Sequence, residues 1–256
     1  MAKKRFGQHF LRQRAVIDHI LGCVQPSPAD HFVEIGPGKG ALTAHLLPHV
    51  ARVDAIEIDG DVINTLKSTC HGLGHLTVHA VDALTFNFRT LLGDSPLRLI
   101  GNLPYNISSP LLFHCLNALD IVQDMHFMLQ KEVVDRLAAQ PGGKDWGRLG
   151  VMAQLHCDVE SLFEVPPSAF YPPPKVQSAI VRLTPAREIR YPDCDRKALQ
   201  RVVQLAFAQR RKTLRNNLRG HVSDDRLEQL DIDPAARAET LNLDAFVRLA
   251  CALEAT

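Results

Sequence analysis

Strand-like and helix-like stretches alternate through the first half of this chain. That rhythm predicts an α/β fold on a mostly parallel sheet, followed by a small all-α C-terminal domain. Three observations carry the prediction. β-branched apolar runs recur at 31–35, 52–58, 76–80 and 97–102, with a fifth at 125–129. Segments with helical spacing separate them, such as Val62, Ile63 and Leu66, or Leu111, Leu112, Leu116 and Leu119. From Asp195 onward the strand signal stops and helical periodicity takes over.

In order, the runs at 31–35, 52–58, 76–80, 97–102 and 125–129 form parallel strands covered on both faces. Right-handed crossovers then put ligands outside their carboxyl ends. After the turn signal Gln140-Pro141-Gly142-Gly143, the segments 151–158 and 178–184 read as strands. No convincing helix separates them, so they are expected as an antiparallel pair closing the sheet. Residues 168–174 (S-A-F-Y-P-P-P) form a rigid extended loop, because proline continues neither a helix nor a sheet interior. Leu199, Val202, Val203 and Ala206, then Leu214 and Leu218, repeat at helical spacing. The expected domains are 1–188 and 189–256.

A hydrophobic content of 46% and a charged content of 22% describe an ordinary soluble globular chain. Its 256 residues suffice for one full α/β domain and an appendage. The net charge of +1 hides two basic clusters. One is Lys3, Lys4, Arg5, Arg12 and Arg14; the other is Arg210, Arg211, Lys212, Arg215 and Arg219. Such runs are usually solvated faces, but two of them in an otherwise balanced chain raise the expectation of a polyanionic partner. Six cysteines without a C-x-x-C pair argue against a zinc ribbon or redox motif and for reduced thiols in the cytoplasm. The basic N-terminus has no apolar continuation, and no stretch approaches eighteen apolar residues. Signal peptide and membrane span are therefore not expected. His45 with His49, and His75 with His79, lack acidic or cysteine neighbours, so no metal site is expected.

The chemistry concentrates at strand ends. Gly36-Pro37-Gly38-Lys39-Gly40-Ala41 satisfies G-x-G-x-x-G/A directly after the first strand. Glu57, 21 residues after Gly36, ends the next strand, where a carboxylate accepts from both ribose hydroxyls. An NAD enzyme would show as much. Glu34, just before the turn, suits an ammonium-bearing cofactor and repels a pyrophosphate. Asp82-Ala83, after the third strand, suits an adenine amino group, although an isolated Asp there is more often a turn residue or cap. The decisive element is Asn102-Leu103-Pro104-Tyr105. It offers an amide oxygen, main-chain carbonyls on a bent backbone and a flat ring, which together grip the exocyclic amine of a nucleobase. Hydride transfer has no use for it.

These residues carry a resemblance. The stretches F-G-Q-H-F-L (6–11), E-I-G-P-G-K-G (34–40), E-I-D (57–59), D-A (82–83), N-L-P-Y-N-I-S (102–108), F-M-L-Q-K-E (127–132), S-A-F-Y-P-P-P-K-V (168–176) and R-R-K-T-L-R-N (210–216) occur in order. In them the chain resembles the bacterial small-subunit (16S) ribosomal RNA adenine N6,N6-dimethyltransferases, the family linked to kasugamycin sensitivity. The resemblance implies a Rossmann-like class I S-adenosylmethionine-dependent methyltransferase fold with a seven-stranded sheet and a helical C-terminal domain. It implies S-adenosylmethionine as cofactor, with His9, Leu11, Gly36, Gly38, Glu57, Asp82, Ala83 and Asn102 at its site. His9 stands where the family usually has Asn; its ring can still donate or accept a hydrogen bond.

The implied substrate is a pair of adjacent adenosines in the 3′-terminal hairpin of 16S rRNA within the immature 30S subunit. Asn102 and a carbonyl near Leu103-Pro104 would accept the amine hydrogens, with Tyr105 and Phe170 as stacking faces. Arg210, Arg211, Lys212 and Arg215 would hold RNA phosphates. A monomer is the default for a protein serving so large a partner. Two other readings stay open: the sister enzymes of large-subunit rRNA that confer macrolide resistance, and a non-catalytic ribosome assembly factor.

Overall fold

Five parallel strands end at one edge and so bring the strand-end motifs together. The computed structural model describes residues 9–186, 190–191 and 194–254. Lys3, Lys4 and Arg5, residues 6–8 of the first motif and the expected junction at 188/189 lie outside them.

The strands are β1 (Phe10–Leu11), β2 (His31–Ile35), β3 (Arg52–Ile56), β4 (Leu76–His79), β5 (Leu97–Asn102), β6 (Val122–Gln130), β7 (Cys157–Val165), β8 (Phe170–Tyr171) and β9 (Ser178–Pro185). The helices are α1 (Arg14–Val24), α2 (Thr43–Leu46), α3 (Gly60–Thr69), α4 (Ser108–Leu116), α5 (Lys131–Ala138), α6 (Arg148–His156), α7 (Arg196–Ala206), α8 (Leu214–Asn217), α9 (Asp224–Gln229) and α10 (Leu243–Glu254).

Seven strands form one sheet in the order β4-β3-β2-β5-β6-β9-β7, and β1 pairs with β8 in a separate two-stranded ladder. From β4 to β6 all pairings are parallel. β9 runs antiparallel to β6 and lies between β6 and β7. All five residues of β2 are buried, as a central strand covered on both faces requires. This is the mostly parallel α/β sheet expected of a Rossmann-like methyltransferase.

One expected strand is corrected. Residues 151–158 are not a strand: 148–156 is α6, and β7 begins at Cys157. The run Val151-Met152-Ala153 has no period-two alternation, so it fits a buried helix as well as a strand. Gly150 decides the matter, since a Cβ there would lie 2.5 Å from the Arg136 carbonyl oxygen. Only glycine lets α6 approach α5 so closely.

The chain divides into two compact units. The first comprises residues 1–134 with 159–185, and the second 135–158 with 186–256. The helical unit thus takes in a segment, 135–158, that the expected boundaries gave to the sheet domain. Within it, the buried Trp146 donates its indole N–H to the Leu241 carbonyl at 2.9 Å. α7 packs Leu199, Val202, Val203 and Ala206 inward, and Phe207 stacks on Phe246 of α10. The core of the first unit gathers Phe32, Val53, Ala55, Ile100, Met128 and Ile180 from the sheet with Ile17, Ile20 and Val24 from α1.

Candidate functional site

The register aligns the chemistry. Ile35 pairs with Ile56, Ile56 with His79, and Glu34 with Ile100, so Gly36, Glu57, Asp82 and Asn102 all follow at the carboxyl edge. There they line one cavity of about 520 Å³, within the range of small-molecule sites. His9, Leu11, Gly38, Leu103, Pro104 and Tyr105 line it too. Ala83 does not, although its neighbours Asp82 and Leu84 do.

Gly36, Gly38 and Gly40 all adopt positive φ (69°, 55° and 86°), the left-handed region that side chains resist. A Cβ on Gly38 would press on the Phe10 ring at 3.0 Å. Glu57 closes the turn: one oxygen accepts from the Gly38 N–H at 3.2 Å, the other from the Asp59 N–H at 2.8 Å. Burial raises its carboxyl above the usual range, against the pull of those donors. Each oxygen keeps a lone pair for a ligand hydroxyl. Asp82 Oδ1 accepts from the Leu84 N–H at 2.9 Å, a turn that sets its carboxylate at the cavity.

Glu34 is a buried carboxyl group on the cavity wall. It is 2% exposed, and its Oε2 has no hydrogen-bond partner among the described residues. Burial raises its carboxyl to about 7, with the charge of Glu57 adding in the same sense. A buried, unpartnered carboxylate oxygen on a cavity wall fits a cationic ligand group. The sign for stability is clear. The fold prefers the protonated form, so the contribution of Glu34 is full below the unfolded value of 4.5 and is lost as pH rises through 7. Ligand-free protein should lose roughly 3 kcal/mol across that window. Thermal unfolding of wild type and Glu34→Gln between pH 5 and 8 checks this: the wild type should fall relative to the variant.

Around Asn102 the contacts are specific. Its Nδ2 donates to the His9 carbonyl at 2.9 Å. Since a carbonyl only accepts, the amide orientation is determined and Oδ1 is the end left for a ligand. The His9 ring stacks on Tyr105 at 5.6 Å, and its Nδ1 lies 2.7 Å from the Pro172 carbonyl, so Nδ1 carries the proton. The Tyr105 hydroxyl bonds Ser178 Oγ at 2.6 Å. Pro104 gives its carbonyl to the Ile107 N–H at 3.1 Å, starting α4.

Phe170 corrects the sequence reading. It is 1% exposed, packed in the core, and does not line the cavity. The reason is pairing: Leu11 lies opposite Phe170, and both side chains point inward. Strand alternation therefore turns Tyr171 outward. Tyr171 is 65% exposed and does line the cavity.

The sequence reading also missed other lining residues. Ile58 is 53% exposed at the end of β3, a large apolar side chain whose place beside Glu57 was a readable signal. Lys39 reaches over Phe10, with Nζ 5.0 Å from the ring centroid. His126 contributes a neutral ring, its pKa lowered to about 4 mainly by burial.

In the helical unit, the predicted phosphate-binding residues sit on the segment between α7 and α8 and at the start of α8. Asn217 stabilises that segment by donating to the carbonyls of Ala206 (2.6 Å) and Gln209 (3.1 Å). The four side chains are not equivalent. Arg210 pairs with Glu239 at 3.3 Å and Arg215 with Asp224 at 2.6 Å. Arg211 and Lys212 are exposed and have no carboxylate partner among the described residues. Among the described residues no cluster of His, Cys, Asp or Glu could hold a metal ion, and no helix is long and apolar enough to cross a membrane.

Comparison with known proteins agrees with this geometry. A family model described as ribosomal RNA adenine dimethylase matches residues 1–254. Proteins named ribosomal RNA small subunit methyltransferase A are 54% identical in Pseudomonas fluorescens, Nitrosococcus oceani and Pseudomonas aeruginosa. The alignments cover 97% of this chain and 93–94% of theirs. Among solved structures, a dimethyladenosine transferase from Plasmodium falciparum superposes with a TM-score of 0.81 at 28% identity, covering 94% of this chain and 96% of that one. The 23S rRNA methyltransferase ErmE superposes at 0.72 with 26% identity, covering 96% and 99%.

Proposed function

The chain belongs to the ribosomal RNA adenine dimethylase family, and from that premise we propose that it dimethylates the N6 amines of two adjacent adenosines in the 3′-terminal hairpin of small-subunit rRNA, within the immature subunit. It is an S-adenosylmethionine-dependent rRNA adenine dimethyltransferase. The small-subunit assignment is supported by the relatives at 54% identity that carry that name, against 26% for the 23S enzyme. We assign it to the cytoplasm and to a monomeric state.

The observation that carries the reading is the convergence of an oriented Asn102 amide with the Glu34–Glu57 acidic wall on one cavity. Bound S-adenosylmethionine supplies an electrophilic sulfonium methyl. Glu57 would accept its ribose hydroxyls, Glu34 Oε2 its ammonium group and Asp82 its adenine amine, while Gly36 and Gly38 let the backbone approach. Toward the target base, Asn102 Oδ1 and the Leu103 carbonyl accept the two amine hydrogens. The Pro104 carbonyl is already engaged by Ile107. Those acceptors localise the nitrogen lone pair, which adenine otherwise delocalises into its ring. The contribution is positioning and preorganised dipoles. No prior deprotonation is needed, since the amine becomes acidic once alkylated. Unstacking the base costs a few kcal/mol, and stacking on Tyr105 at ~1–3 kcal/mol offsets it.

The test is methyl transfer from labelled S-adenosylmethionine to small ribosomal subunits lacking the modification, followed by digestion to nucleosides. Dimethyladenosine is expected. Tight binding to the particles without transfer would instead support the assembly-factor reading.

The helical unit supplies phosphate contacts in this scheme. Replacing Arg211 and Lys212 with Gln should lower the slope of log affinity against log salt by about 1.4, at roughly 0.7 per single-stranded phosphate contact. Replacing the carboxylate-paired Arg210 and Arg215 should change it less. Salt titrations of particle binding measure both, and equal slopes for the two double variants would argue against the distinction.

A further inference from the structure

We propose that Tyr171 and Arg12 form a second nucleotide subsite at the edge of the cavity. It holds the nucleotide beside the one being methylated, with its base on the Tyr171 ring and its phosphate on the Arg12 guanidinium. The inference rests on the rRNA reading above and adds to it a place for the neighbouring residue of the RNA.

The subsite follows from strand geometry. β1 and β8 are two-residue strands paired antiparallel, with Phe10 opposite Tyr171 and Leu11 opposite Phe170. The Arg12 N–H extends the ladder by donating to the Ala169 carbonyl at 2.9 Å. Alternation sends Leu11 and Phe170 into the core and leaves Arg12 and Tyr171 on the outer face. They are diagonal neighbours there, the guanidinium carbon 5.6 Å from the Tyr171 ring centroid. This places a cation and an aromatic face side by side on a backbone that is itself hydrogen-bonded.

Apart from their contact with each other, neither group has a hydrogen-bond or ion-pair partner among the described residues. At 65%, Tyr171 is the most exposed large hydrophobic side chain among the described residues. Its hydroxyl makes no hydrogen bond to a described residue, and the ring leaves most of its surface in water. Arg12 is exposed and pairs with no carboxylate among the described residues, unlike nearby Arg14, which binds Asp18 at 2.8 Å. An exposed aromatic ring beside an unpaired guanidinium matches a base joined to a phosphate. An acidic peptide would use the cation and leave the ring idle.

Location completes the argument. Both side chains line the same cavity as Asn102 and Tyr105. Two adjacent adenosines are substrates, so while one base occupies the cavity its neighbour must lie at the rim. The His9 ring, bonded to the Pro172 carbonyl and stacked on Tyr105, couples the rim segment to the base-binding ring.

The test is steady-state methyl transfer to unmodified small ribosomal subunits, with cofactor affinity measured separately by calorimetry. For Tyr171→Ala the KM for the particle should rise about 5- to 150-fold, the range that loss of one base stack represents. Its kcat should change less than twofold and its cofactor Kd not at all. Tyr171→Phe, which keeps the ring, should restore the wild-type KM. Arg12→Gln should raise KM and reduce its salt dependence by one contact. A Tyr171→Ala KM within twofold of wild type would overturn the proposal. So would a parallel loss of cofactor affinity, which would mark Tyr171 as structural. If wild-type protein transfers no methyl group, the rRNA reading itself fails, and that outcome is distinct from both.

Discussion

Replacing Asn102 with alanine should lower the single-turnover rate of methyl transfer on the order of 10²–10³-fold, the cost of removing one preorganised acceptor from an active site. The fold should survive, with a stability loss of about 1 kcal/mol for one hydrogen bond. The expectation comes from how the amide is held. Its Nδ2 donates to the His9 carbonyl before any ligand arrives, which leaves Oδ1 as the end available to accept from a ligand without reorganising. Asn102→Asp separates two contributions. It keeps acceptor oxygens but loses the donor, and its carboxylate repels the His9 carbonyl. That variant should also be severely impaired, whereas a simple acceptor role would leave it active. A rate within tenfold of wild type for the alanine variant would remove Asn102 from the mechanism.

Gly101→Ala should be the most destabilising single methyl group in the sheet unit. A Cβ there would lie 2.3 Å from the Ile35 carbonyl oxygen and 3.2–3.3 Å from other Ile35 backbone atoms. Those atoms belong to β2, a central strand paired on both sides, and cannot move independently. The expected loss is roughly 3 kcal/mol, the upper range of overpacking effects. Gly36→Ala provides the contrast. Its Cβ would meet the Asn102 carbonyl oxygen at an ordinary 3.5 Å, so its cost is conformational, about 1 kcal/mol for a side chain at φ 69°. Urea unfolding midpoints should rank the two in that order. Reversal would mean that the close approach of β5 to β2 is not what requires glycine at 101.

The parts of this molecule legible in the sequence are those decided locally. The strands 31–35 and 97–102 were readable to the residue because β-branched runs end abruptly in turn signals. The places of Glu57 and Asn102 on the cavity wall are legible because each stands at such an end. What escaped depends on partners far along the chain. Phe170 looked like a stacking ring because an aromatic in a proline-rich loop usually is available. Its burial is decided by Leu11, a strand partner roughly 160 residues away. The allegiance of 135–158 to the helical unit rests on contacts such as Trp146 to Leu241, which no local pattern announces. The helix at 148–156 was missed because Val151-Met152-Ala153 carries no period of its own.

The sheet order has a consequence for synthesis. β9 is the last of the described strands in chain order, yet it lies between β6 and β7, and it supplies Ile180 to the cavity wall. β7 has no other neighbour among the described strands of the sheet, so it must wait for β9 before it can join. Likewise β1, made before the other strands of the sheet unit, finds its partner among the described residues at 170–171. A nascent chain shorter than about residue 185 therefore has the glycine turn and the Asn102 tetrapeptide but not the walls that complete the cleft. Activity is therefore expected only in chains in which both β8 and β9 have been made and have joined β1 and β6.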